Sequence, residues 1–173
     1  MRRKLILILA IVLTMASCES QMKLPHKLAS FTENDVTVFI YVDENTSGEF
    51  LLLAIFTPPT GYHLYSKDIP LTGVDGLGRP TLIELTKESR MKPLGELVES
   101  VSAETPNFEP KELLVYPPGA VTLMSLPVQL PSGDGWMEDA IKVTYVACSD
   151  GGCKAPVTGK IVEVRIPSAD LFE

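Results

Sequence analysis

Between Val36 and Val42 the chain alternates strictly, with Val36, Val38, Ile40 and Val42 at one parity and Thr37, Phe39 and Tyr41 at the other. A period of two built from β-branched and aromatic side chains predicts a strand. Asp43-Glu44-Asn45-Thr46-Ser47-Gly48 supplies a turn, and Glu49 to Thr57 follows, apolar at both parities and stopped by Pro58-Pro59. A short run with those flanks predicts a strand buried on both faces rather than a helix, so the two runs form a strand pair. Further strands are predicted at Tyr62 to Ser66, Thr81 to Thr86, Glu112 to Tyr116, Val121 to Leu130, Ile141 to Ala147 and Lys160 to Ile166, with Pro, Gly or Asp between them. Lys87 to Val101 could hold a helical turn, kept short by Pro93 and Gly95. Short strands at turn-punctuated spacing predict an all-β, immunoglobulin-like β-sandwich. That class has no built-in active site, so function has to come from residues on its loops.

The 173 residues, 45% of them hydrophobic and 21% charged, suit one core. A formal charge of −7 argues against a surface that collects nucleic-acid phosphates. Two His and three Cys are too few for a convincing zinc site, and neither metal nor cofactor is expected. The N-terminus fixes the compartment. Arg2, Arg3 and Lys4 precede an apolar run from Leu5 to Leu13, and Thr14-Met15-Ala16-Ser17-Cys18 follows. This is an export signal, too short to span a membrane permanently. Ala16-Ser17-Cys18 resembles the lipobox of bacterial lipoproteins, with Met15 where Leu is usual. The expectation is a signal peptide over 1–17, acylation of Cys18, a tether over 18–30 and a sandwich over 31–173. Such a chain is exported to the cell envelope, faces the periplasm and meets the membrane through its anchor; ordinary signal cleavage nearby is the alternative.

With Cys18 used by the anchor, Cys148 and Cys153 are free to pair. Between them lie Ser149-Asp150-Gly151-Gly152, and the two glycines let the loop fold back far enough for a disulfide, which an oxidising envelope favours. Closing so short a loop stabilises a fold by only about 2 kcal/mol, a poor staple. At an exposed hairpin tip the bond is open to attack by another thiolate, and Lys154 beside Cys153 favours a thiolate there. Spacing alone leaves redox and structural readings both open.

Val143-Thr144-Tyr145-Val146-Ala147-Cys148 with Cys153 and Pro156 resembles the cysteine segment of the N-terminal periplasmic domain of the thiol:disulfide interchange protein DsbD. Gly61-Tyr62-His63-Leu64-Tyr65-Ser66-Lys67-Asp68-Ile69-Pro70, with Gly78-Arg79-Pro80-Thr81 after it, is similar to that family's glycine-aromatic segment and turn, and Leu126-Pro127-Val128 to a later strand. The resemblance covers most of Phe31 to Pro167. It implies an immunoglobulin-like domain whose cysteines take electrons from a thioredoxin-like or membrane-embedded thiol reductase and pass them to envelope disulfide proteins. The reductant is expected to be a separate protein. The cysteine spacing is one residue shorter than in the best-known members. Phe108, in Glu104-Thr105-Pro106-Asn107-Phe108-Glu109-Pro110, falls where the family has an aromatic cap over the cysteines, although anchoring of the loop to the core suits it equally. Tyr62, Tyr65 and Tyr145 read as packing residues that border the cysteines. Cys153, after two glycines and before Lys154, is expected to exchange, and Cys148, behind packed residues, to resolve, in keeping with the second-cysteine role that the resemblance implies.

Other conspicuous residues have plainer readings. His63 has no carboxylate at an obvious spacing and reads as structural. Asp150, Glu104 and Glu109 could raise a nearby thiol pKa but read as solvated carboxylates, and Trp136 reads as a core anchor. The leading function is thiol:disulfide exchange. Its alternatives are a non-enzymatic envelope binding or assembly module with a structural hairpin disulfide and, behind that, a chaperone for a soft metal such as Cu(I).

Overall fold

In the computed structural model, residues 24–172 are described; the expected signal peptide, Cys18 and the rest of the expected tether up to residue 23 lie outside them. Two antiparallel sheets face each other. The larger contains β1 (His26–Glu33), β2 (Val36–Glu44), β3 (Phe50–Thr57) and β7 (Thr122–Gln129) in that order, with β5 (Lys92–Pro93) and β6 (Val98–Glu99) both on the far edge of β7. The smaller has the order β11 (Val157–Pro167), β8 (Trp136–Tyr145), β4 (Leu82–Leu85). A separate ribbon pairs β9 (Cys148–Ser149) with β10 (Gly152–Cys153). The described residues thus form an all-β, immunoglobulin-like sandwich, with a 3₁₀ turn at Ala169–Phe172. No helix among them is long and apolar enough to cross a membrane.

The core follows from the alternation. Val36, Val38, Ile40 and Val42 of β2 and Leu52, Ala54 and Phe56 of β3 are fully buried, and face Ile141, Val143 and Tyr145 of β8 and Val164 and Ile166 of β11. Along β3 the opposite parity is only half-buried, not sealed as expected. Leu53 and Ile55 are flanked in register by Tyr41 and Phe39 on β2 and by Ser125 and Leu123 on β7, so neighbouring side chains rather than a second layer shade them.

Several segments depart from the sequence reading. β1 opens at His26, inside the stretch expected to be tether, because it pairs with the free edge of β2. A register shift between Lys27 and Ala29 interrupts its alternation, which removes the period that would mark it as a strand. Lys87 to Val101 holds no helical turn. It runs along the β7 edge as two short strands, with Leu94 donating to the Pro127 carbonyl at 2.8 Å and Ser100 to that of Leu123 at 2.9 Å. Pro127 has no N–H to give, and the pairing is split on either side of it. Tyr62 to Ser66 makes only isolated bridges, and Glu112 to Tyr116 opens in a turn, with Leu113 N–H donating to the Pro110 carbonyl at 3.1 Å, before bridges at Val115. Trp136 does not anchor the core: it begins β8 at 41% exposure, its ring edge-on to His26 at 5.6 Å.

Candidate functional site

The β9–β10 hairpin carries the Cys148–Cys153 disulfide, with Cα atoms 4.0 Å apart. Register explains the closeness. Ladder bonds flank the pair, Lys154 N–H donating to the Ala147 carbonyl at 2.9 Å, so Cys148 and Cys153 face each other at a non-hydrogen-bonded position, where cross-strand side chains come nearest. Gly152, at φ 125°, makes the return of the chain possible. Cys148 is 2% exposed, whereas Cys153 is exposed.

Cys148 belongs to a satellite core with Tyr65, Ile69, Leu113 and Val146, against which Phe108 packs. The platform beneath it is the extended Tyr62 to Ser66 segment. Tyr65 is clamped from the other side by the turn at Gly78, where φ is +73° and an added Cβ would come within 2.8 Å of Leu113. The hairpin exit is held by the β1–β2 turn. Asn34 and Asp35, both at positive φ, reach across so that Asn34 donates to the Ala155 carbonyl at 2.8 Å and Asp35 pairs with Lys154 at 2.6 Å.

Of the residues expected to border the cysteines, Tyr65 and Phe108 line a cavity of about 340 Å³ together with both cysteines, His63, Ser149 and Asp150. Phe108 lies over the His63 ring at 5.7 Å, nearly parallel, on a loop whose base is closed by reciprocal hydrogen bonds between Glu104 and Val115. It therefore sits both on the satellite core and at the disulfide. Lys154 lines a second groove beside the cysteines, but its ammonium is taken by Asp35 and lies 5.1 Å from the centre of the Tyr62 ring. Its hydrogen bond to Asp35 raises its pKa, so the charge is directed there first. Tyr62 thus stands at the margin of the site through Lys154.

Tyr145 is not brought to the disulfide. It points into the main core against Phe56 and donates to the Glu33 carbonyl at 3.0 Å, and burial pushes its phenol far up. Glu104 joins the loop base through its backbone and Glu109 pairs with Lys111 at 3.7 Å; neither lines the cavity, where Asp150 is the carboxylate.

Sequence reasoning passed over His63. It is 9% exposed, pairs through its backbone with Cys148, and its Nε2 is buried without a hydrogen-bond partner. Desolvation lowers its pKa below the ordinary 6.5, and the nearby Asp150 carboxylate pulls it partly back. Among the described residues no group of three or more His, Cys, Asp or Glu is arranged to hold a metal.

The chain is thus an immunoglobulin-like β-sandwich that carries a half-covered disulfide on a short hairpin. Compared with known proteins, the chain matches no family model and no curated protein. Among solved structures it is similar to the N-terminal periplasmic domain of ScsB from Proteus mirabilis, at 15% identity and a TM-score of 0.45, over 86% of this chain and 56% of that one. The chain thus spans little more than half the length of the structure it matches.

Proposed function

We propose that this chain is an exported thiol:disulfide exchange protein, whose Cys148–Cys153 pair passes reducing equivalents from a thioredoxin-like or membrane-embedded reductase to envelope disulfide proteins. The observation that supports it is the unequal cover of the two sulfurs: Cys153 open to an incoming thiolate, Cys148 buried beside Phe108 and Tyr65. A bond that served only to staple the fold would gain nothing from one open sulfur, and a loop this short stabilises by only about 2 kcal/mol. Titration against glutathione tests the reading. The expected potential lies in the range of exchange proteins, between about −120 and −270 mV. A value below about −300 mV overturns the reading in favour of a binding module locked by a structural bond.

The proposal extends to the anchor. The basic, apolar and small order before Cys18 supports export, cleavage after Ser17 and acylation of Cys18. Cys18→Ser is then expected to leave the membrane fraction as a soluble or unprocessed form, as read by fractionation and mass spectrometry of the N-terminus. An unmodified wild-type N-terminus that starts after Cys18 overturns the anchor.

A further inference from the structure

We propose, resting on the exchange reading above, that His63 is the general base for Cys148, taking the thiol proton when that sulfur attacks a mixed disulfide on Cys153. The geometry begins in the backbone. His63 N–H donates to the Cys148 carbonyl at 2.8 Å and Cys148 N–H to the His63 carbonyl at 3.0 Å, so the two residues are a hydrogen-bonded antiparallel pair with side chains on one face. Cys153 flanks Cys148 on its other side. The three side chains form a lateral row with Cys148 at its centre, and all line one cavity.

Chemistry requires a base at that place. Cys148 sits among Tyr65, Ile69, Leu113 and Val146, apolar surroundings in which a charged thiolate is poorly solvated. A resolving cysteine reacts as the thiolate, so its proton needs somewhere to go. The buried, unpartnered Nε2 of His63 is an acceptor when the ring proton is on Nδ1. The ring is held between Phe108, stacked at 5.7 Å, and the edge of Tyr65 at 5.2 Å. The titratable groups that face it are Asp150, Tyr65 and the two cysteines; Phe108 and Ser149 bring no charge. Burial raises the Tyr65 pKa, so that phenol keeps its proton, while Asp150 is exposed in the hairpin turn. Burial also keeps the imidazole neutral near pH 7, and the Asp150 carboxylate favours the imidazolium once it forms.

The step balances within the site. The Cys148 thiol proton passes to Nε2, and the sulfur electron pair forms a bond to Cys153 Sγ. The bond from Cys153 Sγ to the partner sulfur breaks, and the partner leaves as a thiolate that takes the proton back from His63. Cys148 is oxidised and the partner sulfur reduced, and no other reactant enters.

The test mixes reduced protein with dithiobis-nitrobenzoate, an aromatic disulfide that releases a coloured thiolate, in a stopped-flow cell. Attack by Cys153 releases the first thiolate, and attack by Cys148 on the resulting mixed disulfide releases the second. His63→Gln is expected to leave the first phase within about threefold and to slow the second about 100-fold at neutral pH, the scale of lost general-base catalysis. The wild-type second phase should level off above the imidazole pKa, whereas that of His63→Gln should rise about tenfold per pH unit, and added imidazole should restore the second phase of His63→Ala. Where either variant fails to fold, the wild-type profile decides: a levelling second phase supports the base, and one that climbs to the thiol pKa overturns it. A second phase unchanged in the variants, or both phases slowed equally, also overturns it. These outcomes leave the exchange reading standing, because that reading fails on the glutathione titration instead.

Discussion

Cys148→Ala, incubated with envelope extract or a thioredoxin-like protein, is expected to accumulate a mixed disulfide through Cys153, and Cys153→Ala to accumulate about tenfold less or none. The reason is the order in which bonds form. In the proposed exchange an incoming thiolate attacks the exposed Cys153, Cys148 is the leaving group, and Cys148 later returns to expel the partner. Without Cys148 the partner cannot be expelled, so the intermediate persists. Without Cys153 the remaining sulfur is 2% exposed, packed with Tyr65, Ile69, Leu113 and Val146, and is out of a partner's reach. Non-reducing gels of the two variants read the difference directly. Equal trapping would refute the division of roles, and no trapping by either would turn the assignment toward a binding module. Lys154 adds little to the asymmetry, since Asp35 and the Tyr62 ring already engage its charge.

The second large effect concerns what holds the sandwich together. Phe56 is fully buried at the centre of the main core, edge-on to Tyr145 at 5.8 Å. Phe56→Ala is expected to cost about 3–5 kcal/mol through lost burial and the cavity left behind, which lowers Tm by about 6–20 °C for a domain of this size. Reduction of the Cys148–Cys153 bond should cost only about 2 kcal/mol and leave the sheets intact. The disulfide belongs to the satellite cluster and not to the main core, so breaking it removes no contact between the sheets. Thermal and denaturant melts of the wild type, oxidised and reduced, and of Phe56→Ala give the comparison. Complete unfolding on reduction would mark the bond as a structural staple and count against exchange.

Where the alternation was clean, the strands could be read directly. β2, β7 and the later part of β11 keep apolar side chains at one parity, and in β2 the parity of Val36, Val38, Ile40 and Val42 is the buried one. The period is a property of the local chain, and any sandwich that buries one face must respect it. The reading failed where pairing overrides local pattern. β1 is irregular around its register shift and is recruited by the open edge of β2, while Lys92–Pro93 and Val98–Glu99 are strands only because β7 offers an edge to them. Trp136 looks like an anchor by composition, yet it falls at the end of β8, where the sheet no longer covers it.

Fold class, the cysteine hairpin and the identity of its two sulfurs were legible in the chain alone, because strand period, turn-forming glycines and cysteine spacing are short-range features. The resemblance pointed to Tyr65 and Phe108, which line the cavity with both cysteines. That Tyr145 turns into the main core, that Lys154 is bound to Asp35 and that His63 stands beside Cys148 emerges only from the folded chain. Each of these rests on pairing between segments far apart in the chain. Strand register selects the face a side chain takes, and a one-residue slip would have sent the His63 imidazole to the opposite side.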